Sequence, residues 1–387
     1  IINPFDDRAH CWSPFFEAFD VSAFAHIAEV MIPDSAGANN DKFWAQASRL
    51  VFEYAARKLF DKHRSAVTNA MLREAILAIP NEELELLLTK TPWGHFFGEH
   101  VGKTSGSIRA NMITALRFLE FLRDDGEPFS IRTWVKEHEG PGFVFLTGDA
   151  EHGAVTRNVI STVLEVAATA LMTCEPSRDP KIWFFMDEAP TLNRLPFLPK
   201  SLAEIRQFGG AFVVGWQVYS QMVDLYGRDG AETISGTLNN RFIFNTPDFE
   251  TARRGSQSLG EEDVEEAMEN MSFGANVTRD GVSISRKRTQ RPIVTAGQIQ
   301  TLEQFKCFAK MAYDTPAALL VFKPAPERRN PEPSFVKYSG DFFGKGTLDL
   351  TDIIESRRER GLFVSRFEGL PAQQQCAEFK DWLARDP

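Results

Sequence analysis

The sequence has few cysteines, and none of its cysteines or histidines has the spacing of a metal site. The four cysteines are far apart in a chain of 387 residues: Cys11, Cys174, Cys307 and Cys376. This distribution gives no support to a zinc site or a disulfide framework and favours free thiols in a reducing cytosol. No Gly-x-Ser-x-Gly or Cys/His nucleophile pattern occurs either, which argues against acyl-transfer hydrolysis.

Positive charge is also scarce. The 43 Lys and Arg are outnumbered by 53 Asp and Glu, which gives a formal net charge of −10. A simple nucleic-acid-binding domain is normally basic, so any contact with nucleic acid must be local, on a loop or the lining of a ring. The sequence has no initial Met, no signal peptide and no apolar run that we expect to span a bilayer. Because Ile1-Ile2-Asn3-Pro4 resembles the end of a strand entering a turn, we expect the sequence to begin within a domain.

The pattern of apolar residues changes along the chain. Between about Asp41 and Arg123 these residues recur at helical spacing, with no strand-like alternation. From Gly142 onward, short and wholly apolar segments alternate with helical ones, which predicts a parallel sheet covered on both faces. We therefore predict an α/β domain with an inserted all-α domain. The predicted domains are residues 1–36 and 128–325 for the α/β core, 37–127 for the all-α insertion, and 326–387 for a linker and a C-terminal helical tail.

Two adjacent acids follow the most apolar of these segments. Residues 182–186, Ile-Trp-Phe-Phe-Met, predict a central strand, and Asp187 and Glu188 come directly after it. Ligands of parallel α/β sheets bind at the carboxyl ends of the strands. In phosphoryl transfer one acid there can hold Mg²⁺ and its neighbour can activate the attacking water. We assign the metal to Asp187 and the base role to Glu188; the alternative is a strand that ends in two solvated acids.

Two further polar residues follow at informative positions. Arg206 is predicted late in the helix after this strand, and Gln217 at the end of the next strand. An amide beside the acids suits a sensor of the γ-phosphate. An arginine on that helix can act as a finger in a neighbouring subunit, which is worth ~10³–10⁵ in rate in other nucleotide hydrolases. The alternatives are a solvated helix face for Arg206 and a simple loop amide for Gln217.

Two other segments invite a functional interpretation. Arg286, Lys287 and Arg288 form a basic cluster in a predicted polar loop, which can contact a phosphate backbone or can be a solvated hairpin tip. Residues 98–104, Gly-Glu-His-Val-Gly-Lys-Thr, are one residue short of the phosphate-loop motif, and no strand precedes them. We reject them as a nucleotide site and predict that they begin the helix that contains Ile108 and Met112.

Several motifs together resemble the TraD-type coupling proteins of type IV secretion and conjugation. The resemblance extends from Asn3 to about Phe322 and includes the helical insertion. The motifs that carry it are Asn3-Pro4-Phe5-Asp6-Asp7-Arg8, Trp12, Trp183-Phe184-Phe185-Met186-Asp187-Glu188, Pro190-Thr191-Leu192, Arg206-Gln207-Phe208-Gly209-Gly210, Gln217 and Arg279-Asp280-Gly281-Val282-Ser283.

This resemblance implies a RecA-like domain interrupted by an all-α domain, assembled as a hexamer on an anchor at the cytoplasmic face of the bacterial inner membrane. It implies that ATP and Mg²⁺ are the cofactors, and that single-stranded DNA with its relaxase is delivered to the type IV secretion channel. By position Asp187 and Glu188 match the Walker B acids, Arg206 the arginine finger and Gln217 the glutamine after the next strand. Arg241 lies where a further phosphate-sensing arginine is expected.

One departure from the family pattern concerns the phosphate loop, which we expect to precede Ile1. The chain as written is therefore expected to bind ATP weakly or not at all. The tail after Pro333 is the expected docking segment for an accessory DNA-binding protein. Two alternatives stay open: a secretion-assembly ATPase of the same motor fold, and a non-catalytic docking remnant. The motifs at residues 3–8 and 279–283 favour the coupling protein over the first, and the retained Asp187, Glu188, Arg206 and Gln217 argue against the second.

Overall fold

We obtained a computed structural model of the chain, which describes residues 1–32, 39–78, 102–149, 151–272, 281–313, 315–326, 332–340 and 342. The α-helices are α1 (Pro14–Glu17), α2 (Ala23–Met31), α3 (Asn39–His63), α4 (Asn69–Arg73), α5 (Gly102–Leu116), α6 (Ile131–Glu137), α7 (Gly153–Met172), α8 (Phe197–Ser201), α9 (Tyr219–Thr237), α10 (Phe249–Leu259) and α11 (Ala296–Gln300). The strands are β1 (Cys11–Trp12), β2 (Pro128–Phe129), β3 (Ser177–Met186), β4 (Phe208–Val214), β5 (Arg241–Ile243), β6 (Glu261–Ser272), β7 (Gly281–Pro292), β8 (Lys306–Lys310) and β9 (Ala318–Val321).

The described part of the predicted insertion is helical. We call residues 39–78 and 102–121 the helical unit; it contains α3, α4 and α5 and ends in a 3₁₀ turn, Arg117–Phe121. Thr68 caps α4 because its side-chain oxygen accepts a hydrogen bond from the Met71 amide. Helix α5 begins at Gly102, as predicted for the rejected phosphate-loop motif, whose first four residues lie outside the described residues.

Strands β3 and β4 are parallel neighbours and carry the predicted acid pair. Their register places Phe184 beside Phe212 and Met186 beside Val214. Phe184 and Met186 are buried in the core, and the Phe184 and Phe212 rings stack at 4.5 Å. The alternate residues point the other way, and Phe185 is 72% exposed. The expectation of a sheet covered on both faces is therefore wrong for the described residues, since no described element covers the second face.

Helix α7 is the central helix of the core. It packs against α2, α6 and β4, and twelve of its residues are buried. It is also the one helix among the described residues that is long and apolar enough to cross a membrane, contrary to the expectation that no such run exists. However, 67% of its most apolar window is buried inside the fold, as expected for the core helix of a globular domain.

Strands β1 and β2 form a short parallel pair, and strands β5 to β9 form two antiparallel sheets. Strand β5 pairs with β8, which pairs with β9, and these strands border a small second core of Ala252, Leu259, Val294 and Ile299. Strands β6 and β7 form a hairpin in which all twelve residues of one strand face the other. The base of the hairpin is the end where β6 begins and β7 finishes. Most side chains there are charged or polar, including Thr289 and Gln290.

A C-terminal stretch packs across the N-terminal turn, residues 3–8. The Asp7 amide donates to the Val336 carbonyl at 2.8 Å, and the Tyr338 amide donates to the Phe5 carbonyl at 2.8 Å. The Tyr338 hydroxyl donates to Asp125 at 3.0 Å. These residues belong to the range predicted as linker and tail. The helical tail predicted for the end of this range lies outside the described residues.

Candidate nucleotide-hydrolysis site

The acid pair lies where two paired strands end. The Gly215 amide donates to the Met186 carbonyl at 2.8 Å, and the Ala189 amide donates to the Gly215 carbonyl at 2.9 Å. The two chain segments therefore stay paired past the last strand residues. Asp187 is exposed and Glu188 is half-buried, because the alternation that buries Met186 turns the next side chain away from the core. The predicted position of both acids, at the carboxyl edge of the strand, is confirmed.

Gly215 is required by this close approach. A Cβ atom on Gly215 would overlap the Asp187 carbonyl oxygen. Every other residue type carries that atom, so only glycine lets the end of β4 lie against the first acid. Sequence reasoning missed this residue, although a glycine that follows a buried strand is a signal of close backbone approach.

A short 3₁₀ turn, Ala189–Thr191, fixes the backbone of Glu188. The Glu188 carbonyl accepts hydrogen bonds from the Thr191 hydroxyl at 2.7 Å and from the Thr191 amide at 3.1 Å. The Leu192 amide closes the same turn by donating to the Ala189 carbonyl at 3.1 Å. The residue that bears the second acid is thus held on both sides, by β4 and by the turn.

Glu188 and Gln217 line one open cleft of about 220 Å³. The other residues that line it are Pro190, Thr191 and Gln221. Gln217 is placed by the connection between β4 and α9, whose first amide, that of Tyr219, donates to the Thr251 hydroxyl at 3.0 Å. Sequence reasoning missed Gln221, which lies in the first turn of α9 and reaches the cleft only through the connection that also places Gln217.

Within the described residues neither Asp187 nor Glu188 forms an ion pair, so both carboxylates are available to a ligand. Across the same part of the chain, no three His, Cys, Asp or Glu side chains form a closed metal cage. That combination fits Mg²⁺, which usually binds through one or two carboxylates together with waters and substrate phosphates. Asp187 can supply such a carboxylate.

Arg206 lies elsewhere on the same strand pair. It belongs to a 3₁₀ turn, Ile205–Gln207, directly before β4, and its side chain is exposed. The prediction of a continuous helix up to this residue is wrong, because α8 ends at Ser201. Arg206 precedes β4 and Gln217 follows it, so the structure does not bring Arg206 to the cleft of its own chain.

Arg241 makes a local contact. Its guanidinium donates to the Ser235 carbonyl at 2.7 Å and lies near the Ser235 hydroxyl at 3.4 Å. Burial lowers the pKa of Arg241, and nearby Tyr219 opposes that shift. These contacts join the start of β5 to the end of α9 and leave part of the guanidinium for another partner.

The basic cluster lies on a strand, so its prediction as a loop is wrong. Within β7, Arg286, Lys287 and Arg288 face Ala267, Glu266 and Glu265 of β6. The Arg288 Nε lies 3.0 Å from a Glu265 carboxylate oxygen. Farther along, Arg291 Nε lies 3.0 Å from Glu262. Acidic β6 thus offsets much of this positive charge, and Arg286 is the cluster member with no acid directly across from it.

Comparison with known proteins identifies the family. Residues 1–323 match the family model of the type IV secretion-system coupling protein DNA-binding domain, and the chain belongs to this family. The coupling protein TraD of Escherichia coli K12 is 34% identical over 330 residues, which cover 84% of this chain and 45% of TraD. The conjugal transfer protein TraG of Escherichia coli is 23% identical over 326 residues, covering 74% of this chain and 50% of TraG. The chain thus spans about half the length of these relatives.

Solved structures of the plasmid coupling protein TrwB share the fold. Unbound TrwB lacking its first 70 residues superposes with a TM-score of 0.74 at 24% identity, covering 87% of this chain and 76% of that one. TrwB in complex with a non-hydrolysable GTP analogue superposes with a TM-score of 0.73 at 25% identity over the same shares. The predicted fold class, a RecA-like α/β core with a helical domain, is confirmed.

Proposed function

We propose that this chain is the motor part of a coupling protein that hydrolyses ATP at the cleft beyond the carboxyl ends of β3 and β4. Glu188 and Gln217 side by side in an open cleft, at the carboxyl edge of a parallel strand pair, carry this proposal. The motor moves single-stranded DNA with its relaxase to a type IV secretion channel, at the cytoplasmic face of the bacterial inner membrane. Residues after Pro333 are the proposed docking segment for an accessory DNA-binding protein.

Roles are proposed for Glu188 and Gln217, which line the cleft, and for Asp187, which directly precedes Glu188. Mg²⁺ bound beside the nucleotide would neutralise charge on its phosphates, and Asp187 holds that ion. Glu188 accepts a proton from the attacking water, and Gln217 orients the γ-phosphate or that water through its amide. TrwB has been solved with ADP and Mg²⁺ and with a non-hydrolysable ATP analogue, which supports these cofactors for a chain of the same family.

Arg206 acts in trans in this proposal. Because it precedes β4 while the cleft lies after β4, its exposed guanidinium serves the cleft of the neighbouring subunit in a homo-hexamer. Mixing Arg206→Ala subunits with Glu188→Gln subunits tests this role. Hydrolysis should partly return in the mixture, because each intact arginine can face an intact acid pair; no recovery at any mixing ratio contradicts the placement. Arg241 is proposed as a weaker phosphate sensor.

The hairpin is the proposed DNA-binding surface, through Arg286, Lys287 and Arg288. Neutralising Lys287 and Arg288 together should weaken binding to single-stranded DNA and make the salt slope of the affinity shallower by about 1.4, since each phosphate neutralised on a single strand adds ~0.7 to that slope. Arg253→Gln, which removes an exposed arginine paired with Glu250 on α10, is the matched control. An unchanged affinity and salt slope in the double variant would rule out this binding surface.

ATP hydrolysis is measured in a polypeptide that carries a phosphate-loop segment ahead of Ile1, where the sequence analysis expects one. Turnover should rise when single-stranded DNA is added, and Glu188→Gln should lower it by about 10²–10⁴, the usual share of a general base. Glu204→Gln, at an exposed glutamate before β4, is the control. Full activity of the Glu188 variant contradicts the site. A rate of hydrolysis that does not change when single-stranded DNA is added contradicts the translocase function and favours a secretion-assembly ATPase.

A further inference from the structure

Asn158, on helix α7, forms hydrogen bonds in two directions. Its Nδ2 donates to the Ala115 carbonyl at 3.3 Å, near the end of α5, where carbonyls run out of helical partners. Its Oδ1 accepts a hydrogen bond from Nδ2 of Asn193, in the loop that follows the acid pair. One side chain therefore joins the helical unit to the loop downstream of Glu188.

Asn193 is attached firmly on its own side. Its backbone amide donates to the Ser161 hydroxyl at 3.0 Å, and Ser161 is fully buried in α7. Farther along the loop, the Leu195 amide donates to the Tyr226 hydroxyl at 3.3 Å. The loop therefore follows α7 rather than moving independently of it.

The segment between Asn193 and Glu188 is short and closed. Thr191 donates twice to the Glu188 carbonyl, and Leu192 donates to the Ala189 carbonyl. Because these bonds hold the 3₁₀ turn as one unit, a displacement of Asn193 carries to the backbone of Glu188.

We infer that Asn158 is a positioning residue, which couples the last turn of α5 to the loop that holds Glu188. A carboxamide suits this role because it is neutral and offers a donor and an acceptor at once. The effect of Asn158 on catalysis rests on the hydrolysis site proposed above. The mechanical link, by which we mean the hydrogen bonds of Asn158 to Ala115 and Asn193, does not depend on that site. A ligand that shifts the end of α5 would reach Glu188 through this side chain.

Four substitutions distinguish the loss of this link from a general loss of stability. Asn158→Asp keeps the acceptor for Asn193 and removes the donor to Ala115. Asn193→Asp removes the donor at the opposite end. Ser161→Ala frees the Asn193 amide without touching the carboxamide pair. Asn245→Ala is the matched control, because Asn245 also joins two backbone carbonyls, those of Gln300 and Leu302, beside the second core.

Amide hydrogen exchange of the chain itself, followed by mass spectrometry, tests the link. Peptides that cover residues 110–118 and 189–197 should both exchange about five-fold faster in the Asn158 and Asn193 variants, the ratio expected for one ordinary hydrogen bond. Ser161→Ala should affect only residues 189–197, and Asn245→Ala neither peptide. Unchanged exchange of residues 110–118 in Asn193→Asp overturns the coupling, and this variant keeps the test valid if Asn158→Asp fails to fold.

The catalytic consequence is measured in the polypeptide joined to a phosphate loop. Asn158→Asp should lower kcat about five-fold and leave KM for ATP within about two-fold, because only the placement of Glu188 changes. An unchanged kcat, when Glu188→Gln is inactive, overturns the positioning role. If Glu188→Gln is instead fully active, the hydrolysis proposal fails, while the exchange result still decides the mechanical link.

Discussion

Two glutamates in this fold have opposite surroundings. Glu17, at the end of α1, is fully buried, and its carboxylate accepts four hydrogen bonds, from the Trp12 indole, the Ser130 hydroxyl and the amides of Ile131 and Arg132. Burial raises the pKa of Glu17, and these donors oppose the shift. Glu188 is half-exposed in an open cleft and has no ion-pair partner among the described residues.

The difference shows how the same side chain serves architecture or chemistry. Every acceptor position of Glu17 is used to hold the start of α6 against β1, so no capacity is left for a ligand. The Glu188 backbone is held by hydrogen bonds, whereas its carboxylate has no partner in the part of the chain that the structure describes. Substitutions of Glu17 should therefore change the stability of the fold, and substitutions of Glu188 should change the rate of hydrolysis.

The largest effect on stability is expected for Glu17→Ala. It leaves buried donors without a partner and should lower the free energy of unfolding by about 3–5 kcal/mol. Glu188→Ala, its matched control, should stay within about 0.5 kcal/mol of the unchanged chain. Urea unfolding of the two variants measures both values. Equal losses would contradict the contrast between the two sites.

A second buried carboxylate extends the comparison to pH. Hydrogen bonds from Arg8 lower the pKa of Asp6 below its usual value of 3.8. Asp6 therefore stabilises the fold above about pH 4 and loses this effect as the pH falls through its lowered pKa. Asp6→Asn should cost about 1.5–3 kcal/mol at pH 7 and make the fall in stability toward pH 3 shallower.

Unfolding free energies measured between pH 7 and pH 3 test this prediction. Asp7→Asn, at the exposed neighbour of Asp6, is the control for the removal of one negative charge from this turn. The prediction is wrong if the Asp6 variant keeps the slope of the original chain.

A smaller effect on stability is expected for Gly215→Ala, at the end of β4 next to the cleft. The added Cβ must push the end of β4 away from the Asp187 carbonyl, at a cost of about 1–3 kcal/mol. Since this movement also shifts Gln217, hydrolysis should fall with stability. Gly153→Ala, where a Cβ meets no atom within 4 Å, is the control. A Gly215 variant with full hydrolysis would show that the tight pairing of the strand ends is dispensable.

The sequence was sufficient to predict that Asp187 and Glu188 lie at the carboxyl end of a strand in a parallel pair. An apolar segment followed by Asp187 and Glu188, with Gln217 after the next such segment, is a local pattern, and parallel pairing brings its parts together. The same reasoning failed at Arg206, because residues of good helix propensity there form two short turns. Gly209, the second residue of β4, has a φ of 81°, a conformation that ends any helix.

Contacts between distant parts of the chain could not be predicted in this way. The acidic sequence of β6 lacks strand-like alternation, and its pairing depends on basic residues of β7, such as Arg288 opposite Glu265. Glu17 is buried against Ser130 to Arg132, which lie more than a hundred residues farther along the chain. No local pattern around Glu17 could therefore indicate its burial. Asn158 acquires its role only when α5, α7 and the loop after Glu188 come together.

The central claim is that the cleft beside Glu188 hydrolyses a nucleotide, and single turnover of radiolabelled ATP tests it most directly. In the polypeptide joined to a phosphate loop, Glu188→Gln should bind ATP with a Kd within about three-fold of the parent and cleave it at least about 100-fold more slowly. Its unfolding free energy should be unchanged. Cleavage at the parent rate would contradict the assignment of Glu188 and, with it, the motor function proposed for this chain.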